Sequence, residues 1–207
     1  MPDVSLYLVT DRSLTMGRDL LWIVEEAVKG GVTMVQLREK KCNTCEFVEL
    51  AIRLKEKLAK YKVPLIINDR ADIALACNAD GLHIGQSDMP YPIARKLLGR
   101  EKIIGLSVEN LPQVYEANNL DVDYIAISPV FTTDTKTDTN APFGLIGIEQ
   151  VMAVTKHPAV AIGGINLTNA ESIMRTGANG IAVVSAICSA ERPYQAALEL
   201  NELTKRK

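Results

Sequence analysis

The sequence predicts a (β/α)8 barrel, a closed parallel sheet whose strands alternate with helices. The chain has 207 residues, at the short end of the roughly 200 to 250 residues that one such barrel occupies. Short β-branched, apolar runs recur from end to end, and each is followed by a helical pattern. No linker, composition break or internal repeat divides residues 1–207, so we expect a single domain.

Eight runs are predicted as strands because most are apolar on successive residues, as in a parallel sheet covered by helices on both faces. In chain order they are Ser5 to Val9, Met34 to Leu37, Pro64 to Ile67, Gly81 to Ile84, Ile103 to Leu106, Tyr124 to Ile127, Ala159 to Ile162 and Gly180 to Val184. The second architecture considered is an open doubly wound sheet. Its commonest signature, G-x-G-x-x-G after the first strand, is absent, because Thr10-Asp11-Arg12 follows that strand instead.

Helices are predicted between these runs from apolar spacing and from capping residues. In the first helix, apolar residues recur at i, i+3, i+4, i+7 and i+8 from Leu20 to Val28, with Asp19 to cap its start and Gly30 its end. Further predicted starts lie at Asn43 or Thr44, at Asn110 and at Thr168, and the last helix is predicted from about Pro193 to Lys205.

Composition and charge narrow the functional class. The formal net charge is -2, and no run of five basic residues occurs, which argues against a nucleic-acid surface. The N-terminal segment lacks the basic start and apolar stretch of a secretory signal, and no segment approaches the roughly 18 apolar residues of a membrane span. We therefore expect a cytoplasmic protein without a membrane partner. The sequence does not indicate an oligomeric state.

The four cysteines are too sparse for a disulfide framework in a chain of this length. Cys42 and Cys45 form a C-x-x-C motif, but no second pair or nearby histidine completes a zinc site. Reduced thiols near a helix start are the favoured interpretation.

The first candidate site follows the second strand, because barrel enzymes place their functional groups at the carboxyl ends of strands. In V-Q-L-R-E-K, the alternating residues Gln36, Arg38 and Lys40 point to one side of an extended backbone. Two cations and an amide on one side predict an anion-binding cradle. The alternative is a pair of solvated charges at the rim.

Two carboxylates follow on adjacent strand ends. The third strand leads into Asn68 and Asp69, and the segment after the fourth strand ends in Asp88. Magnesium prefers oxygen ligands and is commonly held by one or two carboxylates together with substrate phosphates. Each aspartate could instead cap a helix or pair with an arginine. Taken with the cradle, the pair favours a magnesium site.

A second anion site is predicted at the seventh and eighth strands. Gly163 and Gly164 leave backbone N–H groups uncovered, and Val184 and Ser185 begin a helical turn. This arrangement matches the phosphate site that barrels build after these strands. The alternative is that the glycines serve only a tight turn. Two anion sites on one rim suit two phosphorylated ligands.

The fifth strand and the loop after the sixth add polar candidates between these sites. Ser107 follows I-I-G-L, and Thr133, Thr135 and Lys136 lie in P-V-F-T-T-D-T-K. The loop could order over a phosphate, although a threonine-rich turn is also ordinary loop composition. Ser107 could equally cap a helix.

The ordered set of these segments resembles the thiamine-phosphate synthase family over essentially the whole chain. The matching segments are Y-L-V-T-D, V-Q-L-R-E-K, I-I-N-D-R, G-L-H-I-G-Q-S-D, G-L-S-V, P-V-F-T-T-D-T-K, A-I-G-G-I and V-V-S. The resemblance implies that 4-amino-2-methyl-5-hydroxymethylpyrimidine diphosphate is joined to a 4-methyl-5-(2-phosphoethyl)thiazole, or its 2-carboxy form. The products would be thiamine monophosphate and pyrophosphate. The pyrimidine diphosphate would ionise first, with magnesium present, and the thiazole nitrogen would trap the cation.

The resemblance also implies roles for individual residues, grouped by what each would bind. It places Gln36, Leu37, Arg38, Glu39, Lys40, Asn68, Ser107 and Lys136 on the pyrimidine diphosphate, with Arg38, Lys40, Ser107 and Lys136 as the catalytic groups. It places Thr133, Asp134, Thr135, Gly164, Val184 and Ser185 around the thiazole phosphate. It assigns Asp69 and Asp88 to Mg²⁺.

Three alternatives to this activity share the barrel. A related thiazole tautomerase would carry a histidine just after the fifth strand, where Glu109 stands. An inactive ligand-binding or regulatory barrel would lack the metal carboxylates or the basic cradle. A sugar-phosphate isomerase would not need two anion sites. His83 and His157 are interpreted as a strand residue and a loop residue without catalytic roles.

Overall fold

The computed structural model describes residues 1–132 and 141–205, and it confirms the predicted barrel. Its parallel strands pair in chain order, and β8 pairs with β1 to close the sheet. The strands are β1 (Leu6–Val9), β2 (Met34–Leu37), β3 (Leu65–Asn68), β4 (Gly81–Ile84), β5 (Ile103–Val108), β6 (Tyr124–Ile127), β7 (Ala159–Ile162) and β8 (Gly180–Val183). All eight predicted strands are present, with ends shifted by about two residues at most.

A helical segment follows each strand, as predicted. The helices are α1 (Leu20–Lys29), α2 (Thr44–Ala59), α3 (Ala71–Ala76), α4 (Tyr91–Leu98), α5 (Leu111–Ala117), α6 (Gly144–Val154), α7 (Ala170–Arg175), α8 (Ser185–Cys188) and α9 (Pro193–Thr204). Within the described residues, none of these helices is both long enough and apolar enough to cross a membrane.

The predicted helix starts are confirmed except at α7. The side chains of Asp19, Asn43 and Asn110 accept hydrogen bonds from backbone N–H groups in the first turns of α1, α2 and α5. The prediction that Thr168 caps the start of α7 was wrong, because Asn169 is the residue that immediately precedes this helix. The N–H and hydroxyl of Thr168 instead donate to the carboxamide oxygen of Asn166, at 2.8 and 2.6 Å. The two bonds close a local turn ahead of the helix.

The core forms two layers because successive strand residues point to opposite sides of the sheet. The outer layer packs residues such as Leu8, Ile23 and Phe47 between the strands and the helices. The inner layer fills the barrel with the side chains of Tyr7, Val9, Met34, Ile66, Tyr124, Val160 and Ala182. We call this inner layer the floor, because it forms the bottom of the space inside the barrel.

We call the end of the barrel where the strands begin the lower end, and the end where they finish the upper end. Polar side chains at the lower end bond to the backbone of the strands. At the lower end, the residue just before each even-numbered strand accepts a hydrogen bond from a backbone N–H at the start of the preceding odd-numbered strand. The pairs are Thr33 with Leu6 at 3.1 Å, Asp80 with Leu65 at 2.7 Å, Asp123 with Ile104 at 2.8 Å and Asn179 with Ala159 at 2.8 Å. The lower end therefore satisfies its own polar groups.

Candidate active site

A cavity of about 400 Å³ opens at the upper end of the barrel. The strand ends bring both predicted anion-binding groups to its wall. The predicted residues that line it are Gln36, Arg38, Lys40, Asn68, Asp69, Asp88, Ser107, Gly163, Gly164, Val184 and Ser185. The predictions for Thr133, Asp134, Thr135 and Lys136 lie outside the described residues. One cavity thus contains the cradle, the carboxylate pair and the glycine turn.

The basic cradle forms as its alternation predicts. Gln36, Arg38 and Lys40 face the cavity after β2. One guanidinium nitrogen of Arg38 lies 3.1 Å from a carboxylate oxygen of Asp11, and the Arg38 backbone N–H donates to the hydroxyl of Thr10 at 3.1 Å. These contacts hold the arginine at the rim with its side chain about one-fifth exposed (21%). Arg38 is therefore an anchored cation and not a solvated surface charge.

The two residues between the cradle positions point elsewhere. Leu37 is fully buried in the outer core layer between sheet and helices. Glu39 has a side chain only 6% exposed, and its carboxylate lies 3.1 Å from Nε of Arg12. Neither side chain lines the cavity, so the contacts that the family resemblance implies for Leu37 and Glu39 would have to come from their backbone atoms.

Asp69 and Asp88 lie close together beside the cradle. The ammonium nitrogen of Lys40 lies 2.5 Å from a carboxylate oxygen of Asp69. Asp69 follows β3 with φ of 60°, a left-handed conformation that aspartate tolerates better than most residues. The backbone N–H of Gly85 donates to Asp88 at 2.7 Å. Burial and the neighbouring Asp69 carboxylate raise the pKa of Asp88, although the Gly85 bond and Lys40 oppose this shift.

The chemistry of this pair fits a divalent cation. Burial and then the nearby Asp69 carboxylate raise the pKa of Asp88, and a positive ion between the two carboxylates would stabilise their charged forms. Among the described residues, no three His, Cys, Asp or Glu side chains are grouped as a metal site. An ion held here would therefore take two protein carboxylates and complete its coordination with substrate oxygens and water, as magnesium commonly does.

The glycine turn after β7 lies across the cavity from the cradle. Gly163 and Gly164 have φ of 108° and 67°, which favour glycine. A Cβ atom on Gly164 would lie 2.8 Å from the carbonyl oxygen of Thr132 and 2.9 Å from Cβ of Phe131. The glycines therefore allow the chain after β6 to approach the turn closely. Val184 and Ser185 line the same side of the cavity from the end of β8.

A buried chain of polar side chains runs across the cavity floor. Nε2 of Gln36 donates to the hydroxyl of Tyr7 at 2.7 Å, and that hydroxyl lies 2.9 Å from the hydroxyl of Tyr124. The Tyr124 hydroxyl lies 3.0 Å from Nδ1 of His83, and Nε2 of His83 lies 2.9 Å from Oγ of Ser107. Five strands thus contribute one continuous hydrogen-bonded chain.

This chain corrects two sequence-based interpretations. His83 does lie in a strand, but it also lines the cavity and bonds Ser107, so it is part of the site. Ser107 lies within β5 and is not a helix cap, because Asn110 caps α5. The signal that could have identified Tyr7, His83 and Tyr124 is their strand position, because each occupies an inward-facing place in the two-residue alternation.

The remaining sequence candidates lie apart from this chemistry. His157 precedes β7, and its Nε2 lies 2.9 Å from the carbonyl of Ala117. The C-x-x-C motif does not line the cavity. Burial raises the pKa of Cys42, and a hydrogen bond to Glu49 raises that of Cys45. Raised thiol pKa values disfavour the reactive thiolate form.

Comparisons with known proteins find similar sequences over most of the chain. A family model described as thiamine monophosphate synthase matches residues 6–187. A thiamine-phosphate synthase of Albidiferax ferrireducens is 54% identical over 198 residues, covering 96% of this chain and 90% of that protein. One of Syntrophomonas wolfei is 52% identical over 204 residues, covering 99% of this chain and 98% of that protein. The similarity spans every strand that lines the cavity.

A solved structure supports the same architecture. A thiamine phosphate pyrophosphorylase from Pyrococcus furiosus superposes with a TM-score of 0.90 at 37% sequence identity. The superposition covers 99% of this chain and 96% of that one. The barrel fold is therefore shared with that protein.

Proposed function

The chain belongs to the thiamine monophosphate synthase family, and we propose that its upper cavity is where two phosphorylated heterocycles are joined. Its activity is that of a thiamine-phosphate synthase, a transferase of thiamine biosynthesis. The substrates that we assign to this chain are the pyrimidine diphosphate and the thiazole phosphate named above. The observation that supports the assignment is that the basic cradle and the glycine turn, two predicted anion sites, line one cavity.

The cradle side of the cavity suits the pyrimidine diphosphate. Arg38 and Lys40 supply positive charge, and polar groups that can hydrogen-bond a ligand come from Gln36, Asn68 and Ser107 on β2, β3 and β5. Lys40 is exposed and reaches Asp69, so it can move between that carboxylate and an incoming phosphate. We therefore assign the leaving group to this side.

The glycine side suits the thiazole phosphate. Gly164, Val184 and Ser185 lie after β7 and β8, where barrels commonly bind a phosphate with backbone N–H groups. Thr133, Asp134 and Thr135 remain predicted ligands of the same phosphate. The thiazole ring would then lie between the two phosphate groups, with its nitrogen facing the pyrimidine methylene carbon.

The reaction exchanges one bond at the pyrimidine methylene carbon. The bond from carbon to the diphosphate oxygen breaks, and pyrophosphate leaves with the electron pair. The thiazole nitrogen then donates its lone pair to the resulting cation, forming the carbon–nitrogen bond of thiamine monophosphate. No side-chain nucleophile is needed. The task of the protein is to stabilise the charge that develops on the leaving group and to exclude water.

Several charges are required for this task. A single charge pair at ~4 Å contributes about 4 kcal/mol at an effective dielectric near 20. Arg38 and Lys40 approach the leaving group from β2, and Lys136 is predicted to join them from the loop after β6. Asp69 and Asp88 would hold Mg²⁺, which when bound supplies further positive charge to the pyrophosphate oxygens. Asp11 keeps Arg38 oriented while this charge develops.

The test is whether pyrophosphate release depends on both heterocycles. The purified protein is supplied with pyrimidine diphosphate, thiazole phosphate and magnesium, and pyrophosphate and thiamine monophosphate are measured together. Equal amounts of both products are expected, with a much lower rate when the thiazole phosphate or magnesium is omitted. Pyrophosphate release that ignores the thiazole, or an absence of coupled product, would contradict the proposal.

A further inference from the structure

We propose that His83 is a positioning residue that fixes the direction of the Ser107 hydroxyl. In this account the buried chain across the cavity floor holds His83 with its proton on Nε2. That proton is donated to Oγ of Ser107, so the proton of Ser107 itself is directed to another acceptor. Ser107 thereby acts as a hydrogen-bond donor in the cavity.

The direction of the chain follows from its first link. Nε2 of Gln36 is an amide nitrogen, which donates hydrogen bonds but does not accept them. It therefore donates to the Tyr7 hydroxyl at 2.7 Å. The Tyr7 hydroxyl, which has a single proton, then donates a hydrogen bond to the Tyr124 hydroxyl, 2.9 Å away. The Tyr124 hydroxyl in turn donates its hydrogen bond to Nδ1 of His83 at 3.0 Å. A nitrogen that accepts here leaves the imidazole proton on Nε2.

Burial makes each of these directions costly to reverse. Tyr7 and Tyr124 are 1% and 0% exposed, so neither hydroxyl can turn its proton towards bulk water. A buried donor that has no acceptor is energetically unfavourable. Burial also raises the pKa of both tyrosines above the usual range, which keeps each hydroxyl protonated.

The packing holds the rings in this order. A Cβ atom on Gly105 would lie 2.1 Å from Cζ of Tyr124, so β5 carries a glycine where the phenol crosses the barrel. The His83 ring stacks on Tyr124 with centroids 5.6 Å apart, and Tyr7 meets Tyr124 edge to face at 5.8 Å. The packing therefore holds these hydrogen-bonded side chains in place on the floor of the cavity.

The consequence for the reaction rests on the proposed function. With one lone pair of Ser107 occupied by His83, its hydroxyl proton is available to an oxygen of the departing diphosphate. A serine that donated to His83 instead would present only lone pairs to that anion. The tautomer of His83 thus decides whether Ser107 attracts or repels the leaving group.

The first test reads the tautomer in the unsubstituted protein and does not depend on activity. The chain has only two histidines, so ¹⁵N-histidine labelling gives two sets of ring resonances, which His157→Gln assigns. The proposal requires the Nε2–H tautomer for His83 at neutral pH. Tyr124→Phe should shift the Nδ1 resonance, because the hydrogen bond to it is lost, while Tyr61→Phe should not. An Nδ1–H tautomer or an imidazolium would overturn the proposal.

The second test separates positioning from simple packing. His83→Leu should lower kcat/KM roughly 10- to 100-fold, whereas His83→Gln, which keeps an N–H near the Nε2 position, should recover much of that loss. In a Ser107→Ala background, His83→Leu should cause little further loss, because the hydroxyl that it directs is gone. Losses that multiply in the double variant would overturn the proposal. If the unsubstituted protein released no pyrophosphate, the proposed function would fail while the tautomer result still stood.

Discussion

The two ends of the barrel use the same polar residue types in opposite ways. At the lower end, Asp80 and Asp123 each accept a backbone N–H from a strand start and pair with a lysine or arginine of a nearby helix. At the upper end, Asp69 and Asp88 lie together at a cavity, and burial beside Asp69 raises the pKa of Asp88. Aspartates that satisfy the backbone stabilise the sheet. Aspartates that face each other at a cavity are available to a ligand.

This difference predicts that substitutions at the two ends separate activity from stability. Upper-end variants that change a polar side chain facing the cavity should lose turnover while the unfolding midpoint stays close to that of the unsubstituted protein. Lower-end variants should unfold more easily while turnover at moderate temperature is retained. A variant that fails this division would weaken the assignment of its end.

The largest effect is expected for Lys40→Gln. Removing this cation takes away charge that we assign to the departing pyrophosphate, and turnover should fall by about 100-fold or more. The lysine side chain is 53% exposed, and exposed ion pairs contribute only about 0 to 1 kcal/mol to stability. Steady-state pyrophosphate release and thermal unfolding measure the two quantities. Unchanged turnover would contradict the role of Lys40 in stabilising the leaving group.

Asp123→Ala should give the reverse result at the lower end. The N–H of Ile104 would lose its acceptor, whereas Arg95 would lose its carboxylate partner but keep its bonds to three backbone carbonyls. Leaving the Ile104 N–H unsatisfied should lower the free energy of unfolding by about 1 to 3 kcal/mol. Denaturant unfolding measures this loss. The control Asp123→Asn keeps an acceptor and should lose less, and an equal loss in both variants would contradict the capping account.

Position along a strand explains why most of this division could be predicted from the sequence. Short apolar runs fixed the eight strands within about two residues, and polar residues just after them predicted the cradle and carboxylates. The lower-end caps were not predicted, because the residues next to Asp80 and Asp123 in the sequence do not distinguish them from other loop aspartates. Their partners are N–H groups of strands 15 and 19 residues earlier, which only the folded barrel brings near.

A glycine from each end offers a matched comparison of intermediate size. Gly164 and Gly177 both have positive φ, so alanine at either position should cost about 1 kcal/mol of stability. Only at Gly164 would the added Cβ meet neighbouring atoms, Thr132 and Phe131, whereas nothing lies within 4 Å at Gly177. Gly164→Ala should therefore also raise KM for the thiazole phosphate, and Gly177→Ala should not. Equal KM values in both variants would contradict this role of the turn.

The smallest effect is expected for Thr33→Val, which removes one lower-end hydroxyl at nearly constant volume. That hydroxyl accepts from the backbone N–H of Leu6 at 3.1 Å. Its loss should lower the free energy of unfolding by about 1 kcal/mol, measured by denaturant titration. Turnover should not change, since Thr33 lies at the opposite end of β2 from Gln36 and Arg38. A fall in turnover without a fall in stability would break the separation of the two ends.

The floor of the cavity was the part of the site that sequence patterns did not identify. Tyr7, His83 and Tyr124 come from strands far apart in the chain, and each alone resembles an ordinary core residue. Their connection depends on the closure of the barrel and on the space left by Gly105. The hydrogen-bond directions that link Gln36 to Ser107 therefore follow from the fold and not from local sequence.

Two carboxylates at opposite ends of β3 allow the two ends of the barrel to be compared within one strand. Asp69 follows the last residue of this strand, and Asp80 accepts from the N–H of its first residue, Leu65. Magnesium-dependent pyrophosphate release and thermal unfolding are measured for Asp69→Asn and Asp80→Ala, the second of which leaves the Leu65 N–H without its acceptor. We predict a loss of turnover of about 100-fold or more with an unchanged midpoint for Asp69→Asn, and a lowered midpoint with unchanged turnover for Asp80→Ala. Full turnover by Asp69→Asn, or an equal loss in both variants, would contradict the account.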